Sequence, residues 1–539
     1  MNHVTKFRVF LLSALSSLLL ILSFPKFNIE ILAWFGFVPL LFAIEKKSKA
    51  KAFLLSYLCG VIFWCGTIYW LIHVTLPGTI LLILYLALYF AIFGLIVSTI
   101  DQRAATIGSL IIPSVWVILE YIRSHLFSGF PWALLGYSQC LNLPIIQIAD
   151  ITGVWGVSFL VMLVNATIYI WVTRSGGQQV TRIKTSILPL LCIVLVLCYG
   201  YYKLYQSPGQ AVSRSPIRIS VIQGNIPQEL KWNPGAKDYI VNKYLELSSL
   251  AVKDKPDLLI WPEAALPVIL EEEPLFFEQV KDFVRGIKTP LLLGAVTLRG
   301  NLYYNSALLV SGAGQTLTRY DKLHLVPFGE YIPLKKILPF LETVVPIGDI
   351  TSGKEYTIFK IPNPCLPDRQ AKSQIPNKSQ IPDYRPPAGR AGPGRPNPKI
   401  TNSFAVLICF EDLFPELSRE FIKKGAEFLV NITNDAWYKK TSAAYQHLQA
   451  SVFRAVENRI YLVRAANTGV SGFIAPSGKI ISLVQDKNGR GIFIDGYKTE
   501  DIAVQKRHST FYTRYGNIFP VICFLFMLYG IVLPFKKKR

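Results

Sequence analysis

From Arg8 to Leu204 the chain is written in long apolar runs with short polar breaks between them, and after that the pattern changes. A helix that crosses hydrocarbon needs about 20 apolar residues, and backbone inside lipid has to satisfy its own hydrogen bonds. The runs therefore predict spanning helices at 8–24, 28–45, 53–73, 77–100, 105–122, 155–173 and 185–204, with an eighth at 516–535. The first run follows Lys6 and Arg8, as a secretory signal would, but it ends in SFPKFN (23–28) without a small-x-small cleavage pattern. It reads as a retained anchor.

Between about 205 and 515 the periodicity is that of a water-exposed α/β domain. Short β-branched runs recur at 217–224, 257–261, 291–296, 304–310, 403–410, 427–433 and 460–467. Helical stretches fall between them at 235–253 and 443–458; in the second, Leu448, Val452, Ala455 and Val456 form an apolar stripe at helical spacing. A hairpin is expected at 472–484, around Pro476-Ser477-Gly478. Strands alternating with helices, together with such hairpins, predict sheets with covering helices. Residues 363–400 break the pattern: KSQIP occurs twice and is followed by RPPAGRAGPGRPNPK. Pro and Gly at that density build no core, and the segment reads as an extended surface insert. The expected organisation is a membrane domain at 1–204 with seven spans, a second domain at 205–515 carrying the insert, and a final span with a basic tail at 516–539.

Composition agrees. Of 539 residues 51% are hydrophobic and 17% charged, against about 25% charged in soluble proteins. The net charge of +22 calls for no nucleic acid partner, because the basic residues cluster at alternate ends of successive spans: Lys6 and Arg8, Lys46 to Lys51, Arg103, Arg174 to Lys184, Lys536 to Arg539. By the positive-inside rule both termini lie in the cytoplasm and the 205–515 domain is exported. Five of the eight cysteines sit inside apolar runs. Cys140, Cys365 and Cys409 are the exported ones; two of them could pair, but they make no disulfide framework.

The exported domain offers three places where a strand end or a Pro-braced loop carries a reactive side chain. Glu263 follows DLLIW; Lys322 and Glu330 lie in RYDKLHLVPFGEYIP; Cys409 closes SFAVLICF, with Glu411 two residues on. Each alone has a plain reading, as a turn carboxylate, a surface lysine or a small buried thiol. Together they form a working nucleophilic set. A thiol with a pKa of about 8.5 is mostly protonated at neutral pH; a carboxylate can take its proton, and an ammonium can steady the oxyanion at an attacked carbonyl. Only His324, His447 and His508 lie in this region, and it has no H-x-x-x-H, C-x-x-C or G-x-S-x-G. That argues against a metal site or Ser-His-Asp chemistry. A transporter or a non-enzymatic scaffold is the other class, but Glu120 and Arg123 are nearly the only charges inside the spans.

These motifs, WPEAALP (261–267), YDKLHLVPFGEYIP (320–333) and ICFE (408–411), resemble the Glu-Lys-Cys set of the nitrilase (carbon–nitrogen hydrolase) superfamily. With the eight flanking spans, and with IQGNIPQELKW (222–232), GFPWALLGYSQ (129–139), NDAW (434–437), YQHLQ (445–449) and RAANTGVSG (464–472), the chain resembles the apolipoprotein N-acyltransferases. The resemblance implies an eight-span membrane domain plus an exported nitrilase-like αββα sandwich. It also implies that Cys409 is the nucleophile, Glu263 the base and Lys322 the oxyanion partner, with Glu330 and Glu411 in support and Trp232 and Trp437 near a lipid entrance; the apolar loops 323–341 and 343–349, which lack strong charge, are the candidates to line it. A phospholipid would give an acyl chain, and the amino terminus of a diacylglyceryl apolipoprotein would receive it. No cofactor or metal is implied; a monomer in the bacterial inner membrane is expected. The competing reading is a membrane-tethered amidase that passes the thioester to water.

Overall fold

The computed structural model describes residues 3–100, 105–173, 179–206, 216–327, 329–331, 350–361, 402–504 and 509–536. The insert at 363–400 with Cys365, His508, most of the expected entrance loops, and several flanking basic residues lie outside them.

The first part is helical: α1 (His3–Leu22), α2 (Val38–Ile44), α3 (Lys49–Thr67), α4 (Leu76–Thr99), α5 (Ala105–His125), α6 (Val154–Thr173) and α7 (Gln179–Tyr205). Among the described residues four helices are long and apolar enough to cross a membrane: Lys49–Thr67, Leu76–Thr99, Val154–Thr173 and Ile187–Tyr205. The expected second span is not one helix. It breaks into a 3-10 turn, Glu30–Trp34, and the seven-residue α2. Pro39 stands in the first turn of α2, where its missing N–H costs nothing. A Cβ on Gly36 would meet the Leu20 side chain at 2.7 Å, so the break packs tightly on α1. The third run stops early as well, at Thr67, and passes into a 3-10 turn at Tyr69–His73.

Glu120 and Arg123, on α5, both reach backbone groups of the loop that follows the helix. Glu120 Oε1 accepts from Leu135 N–H at 2.6 Å. The Arg123 guanidinium donates to the carbonyls of Phe130 and Trp132, both at 2.8 Å. These two charges fix the 129–139 loop. Buried irregular backbone needs such partners, because an unmet backbone group costs about as much as a lost hydrogen bond.

The second part is a sandwich of two six-stranded sheets. One runs β12-β1-β2-β3-β4-β5 and the other β11-β10-β9-β8-β7-β6. The first contains β1 (Ile217–Gln223), β2 (Leu258–Ile260), β3 (Leu291–Arg299), β4 (Leu302–Val310), β5 (Thr316–Asp321) and β12 (Gly496–Ile502). The second contains β6 (Phe359–Lys360), β7 (Ser403–Ile408), β8 (Phe428–Thr433), β9 (Leu462–Ala466), β10 (Gly472–Ile474) and β11 (Ile480–Leu483). In each sheet the central strands are parallel, β1-β2-β3 and β7-β8-β9. Such strands are buried on both faces and so read as continuous apolar runs rather than as alternation. Ile219, Val221, Ile260 and Leu309 of the first sheet pack with Val406, Ile408 and Val430 of the second in one core. The outer face of the first sheet is closed by α8 (Lys237–Ala251) and α9 (Pro274–Ile287) through a second core that includes Tyr244, Trp261 and Val284. Helices α10 (Pro415–Lys424) and α11 (Ala443–Asn458) belong to the second sheet, and α12 (Ile518–Lys536) returns to pack on α5. The layering is αββα.

The sandwich sits on the helical part through α11. Gln446 Oε1 accepts from Trp132 Nε1 at 2.7 Å and from Trp70 Nε1 at 3.0 Å, and its Nε2 donates to the Thr67 carbonyl at 2.9 Å. Farther along the helix, Glu457 accepts from Val154 N–H at 3.0 Å, and Arg459 pairs with Asp150 at 2.9 Å.

Candidate active site

Glu263 lies just past β2, on a loop that runs against β3 at Gly294. A Cβ on that glycine would stand 2.7 Å from Glu263 Cα and 2.6 Å from the Pro262 carbonyl, so only glycine lets the loop lie so close. Lys322 follows β5. Its backbone N–H bonds the Asn305 carbonyl at 2.9 Å, which aims the side chain across the end of the sheet. Its Nζ lies 2.9 Å from Glu330 Oε1 and 3.5 Å from Glu263 Oε1. Asn305, on β4, locks the pair: Nδ2 donates at 2.8 Å to each of those two oxygens. Glu330 is held in turn by Val326 N–H at 2.8 Å. All of this is nearly dry, with Lys322 1% and Glu263 7% exposed. Burial works against the lysine's charge, but Glu330 and Glu263 outweigh it and hold the ammonium above its ordinary value.

Cys409 is the first residue after β7 and takes φ +53°, a left-handed backbone that few non-glycine residues adopt. Its strain, on the order of 1–3 kcal/mol, is held from three sides. The Cys409 carbonyl accepts from Asn431 Nδ2 at 3.1 Å and lies 3.3 Å from His447 Nε2. On the other side, Ile408 N–H donates to Glu411 Oε2 at 2.7 Å. The thiol is pushed well above its ordinary value, chiefly by burial and then by the charge of Glu263, with Lys322 pulling the other way. At rest it is therefore protonated, next to a carboxylate and an ammonium.

Glu411 acts on the backbone. It accepts from Leu323 N–H at 2.7 Å and His324 N–H at 3.1 Å, and from the Tyr320 hydroxyl at 2.8 Å. One carboxylate thus ties the end of β7 to the segment that carries Lys322. Burial lifts it to about 7 despite those bonds. Trp232 and Trp437 stand apart from the buried set, with 47% and 48% of their surface exposed. Cys140 and Cys409 are free thiols, both buried.

Below the cysteine lies a charged layer that the sequence did not single out. Arg464 Nη1 donates to Asp412 Oδ2 at 3.0 Å and to Asn431 Oδ1 at 2.7 Å, and its Nη2 lies 3.2 Å from Asp435 Oδ2. His447 bridges Asp412 at 2.8 Å and Asp435 at 2.9 Å. Burial and the neighbouring Arg464 disfavour the imidazolium, but the two aspartates prevail and raise it to about 9. A histidine raised from 6.5 to about 9 adds stability that is complete below 6.5 and lost as pH climbs through 9. The melting temperature should accordingly fall by several degrees between those limits, measured by tryptophan fluorescence in detergent. In His447→Gln that slope should vanish; an unchanged slope in the variant would show that another group carries it. Among the described residues no cluster of His, Cys, Asp and Glu is arranged to hold a metal ion.

Comparison with known proteins fits this geometry. The family profile of the apolipoprotein N-acyltransferase N-terminal domain matches residues 16–167, and that of carbon-nitrogen hydrolases matches 218–506. An apolipoprotein N-acyltransferase of Geobacter metallireducens is 37% identical over 98% of this chain and 96% of its own. The chain belongs to the apolipoprotein N-acyltransferase family. The Haemophilus influenzae relative of the same name is 28% identical over 100% of this chain and 97% of its own. Among solved structures, an amidase from Nesterenkonia sp. aligns at 17% identity and a TM-score of 0.37, covering 57% of this chain and 96% of that one. Seen within the family, the two parts of the chain correspond to the two profiles, and all three strand-end motifs fall inside the carbon-nitrogen hydrolase match.

Proposed function

We propose that Cys409 carries a fatty acyl group as a thioester between a membrane phospholipid and the amino terminus of a diacylglyceryl apolipoprotein. The enzyme is an acyltransferase, and its activity is lipoprotein N-acylation. The observation that supports the site assignment is the pairing of Glu263 and Lys322, 3.5 Å apart in one dry place, with Cys409 buried in the turn after β7.

In the first half-reaction the Cys409 sulfur forms a bond to the ester carbonyl carbon of the donor, and the thiol proton passes to Glu263. The carbonyl electron pair becomes an oxyanion beside Lys322. Collapse breaks the ester C–O bond, and the proton on Glu263 leaves with the lysophospholipid oxygen. In the second half-reaction the α-amine of the acceptor attacks the thioester, loses its proton to Glu263, and expels the thiolate, which recovers that proton. Glu330 and Asn305 hold Lys322 and Glu263 in register throughout. Such a scheme gives ping-pong kinetics.

Both substrates keep acyl chains in the bilayer, since each buried CH₂ is worth about 0.8 kcal/mol. The site therefore has to open toward lipid, and the exposed rings of Trp232 and Trp437 suit that border, being apolar with one polar edge. The same reading takes eight spans, with 1–204 and 516–539 in the bacterial inner membrane, both termini cytoplasmic, and 205–515 exported as a monomer's catalytic domain.

The test supplies phospholipid labelled in its acyl chain and a diacylated peptide with a free amine. Label should move to the peptide, and a single acyl adduct should appear on the tryptic peptide holding Cys409. Glu263→Gln should slow both events by about 10²–10⁴-fold. Label released only as free fatty acid, or an adduct on Cys365, would overturn the assignment.

A further inference from the structure

The turn after β1 brings a second lysine into the site. Residues 226–233 are tied down at their start: Asn467 bonds both backbone groups of Ile226, at 2.8 and 2.7 Å, and Asn434 Nδ2 donates to Gln228 Oε1 at 2.9 Å. The turn places Lys231 inside, 5% exposed, while its neighbour Trp232 faces out. Lys231 Nζ donates to the backbone carbonyl of Glu263 at 3.1 Å. Among the described residues that is the only hydrogen bond its ammonium makes, and it has no ion-pair partner. Lys322 differs: its ammonium is already engaged by both Glu330 and Glu263. A buried ammonium with two idle donors is costly unless something offsets its charge.

We propose that Lys231 is a positioning residue of the acyl-transfer site, a second cation that balances the charge of the Glu263, Lys322, Glu330 and Cys409 set through the transfer. The count is simple. With Glu263 and Glu330 counted as carboxylates, Lys322 as an ammonium and Cys409 as a thiol, the four groups sum to one negative charge. When the sulfur attacks, Glu263 becomes neutral by taking the thiol proton and the carbonyl oxygen becomes negative; the sum is unchanged. Without Lys231 the oxyanion forms in a dry pocket that already carries excess negative charge. With it, these five groups sum to zero at every stage, and it also holds the backbone of the base by its carbonyl.

The charges that face Lys231 are those of Glu263 and Cys409, with Lys322 and Glu330 behind Glu263. Burial is the largest influence on it and brings the ammonium down to about 8, with Glu263 and Cys409 opposing. The cation therefore fades just above neutral pH, and the alkaline limb of the transfer reaction should follow it.

The proposal rests on Cys409 being the nucleophile, so the experiment reads the thiol itself and not the transfer. The intact protein in detergent is treated with iodoacetamide from pH 7 to 10, and modification of the Cys409 peptide is followed by mass spectrometry. Lys231→Met should slow alkylation at pH 8 about tenfold by disfavouring the thiolate. Lys231→Arg, which keeps the charge at all these pH values, should stay within about threefold of the parent and flatten the dependence near pH 8. If the Met variant melts early, Lys231→Gln is read in its place. Alkylation of the Met or Gln variant at the parent rate, or an Arg variant as slow as Met, would overturn the proposal. Absence of an acyl adduct on Cys409 would instead sink the functional reading and leave the alkylation result standing.

Discussion

Cys409→Ala is expected to eliminate acyl transfer and the enzyme-bound acyl adduct together, while the protein still folds. On the proposed roles the expected loss is at least about 10³-fold, because a nucleophile, its base and its oxyanion partner act as a unit and removing the first leaves the others nothing to assist. Cys409→Ser is expected to fail equally. Burial and Glu263 already push a thiol up at this position, and a hydroxyl, intrinsically harder to ionise, would not be deprotonated by the same carboxylate. Folding should survive in both variants. The strained φ of +53° disfavours β-branched side chains most, and neither alanine nor serine is branched. The measurement is transfer of labelled acyl chain alongside a melting curve. Either variant retaining more than about a hundredth of parental activity, with its melt unchanged, would mean that the sulfur is not the attacking atom.

The largest effect on stability should come from Arg464→Met. The guanidinium is fully buried and joins three elements: Asn431 on β8, Ser451 on α11 at 3.0 Å, and Asp412 in the turn after Cys409. Its Nε also donates to the Val470 carbonyl at 3.1 Å. Removing it leaves Asp412 and Asp435 sharing a dry site with only His447 between them. Breaking a buried pair by deleting one partner costs about 3–5 kcal/mol, which for a domain of this size lowers the melting temperature on the order of 10 °C. Arg464→Lys should recover little, since one ammonium does not replace five donors fixed in a plane. Adding Asp412→Asn to Arg464→Met should recover part of the loss, because it removes a charge left without its partner. A melt for Arg464→Met within about 2 °C of the parent would show that the layer is not the brace described above.

How much of this was legible in the sequence depends on how local each cause is. The strands at 217–223, 291–299 and 428–433 and the helix Ala443–Asn458 follow their apolar patterns within a few residues, and the hairpin formed by β10 and β11 was announced by Pro476-Ser477-Gly478. The reactive residues stood at strand ends, where an apolar run stops at a single polar side chain. The broken second span was less visible: its apolar run is continuous, and the break follows from Gly36 packing on Leu20 and from Pro39, a contact and a turn that hydropathy does not see. Lys231 and Asn305 were passed over for the same reason. Neither stands at the end of an apolar run, Lys231 being one of several polar residues in PQELKWN and Asn305 lying within β4, and only the fold brings each to Glu263. The layer of Arg464, Asp412, Asp435 and His447 spans four elements, so no local window contains it. Its members did lie in ICFED, NDAW, YQHLQ and RAAN, and an isolated charge inside a buried strand such as β9 was the one available hint.

Gln446 and His447 are consecutive residues on α11, one gripping two tryptophans of the helical part and the other reaching the carbonyl of Cys409. The backbone seat of Cys409 and the contact with the helical part are therefore made from the same turn of helix. A soluble amidase that acquired spans merely as a leash would show no such sharing. On the proposed acyl-transfer reading the helical part is then a piece of the chemistry's framework, and cutting the two apart is expected to blunt the sulfur even if both pieces survive the separation.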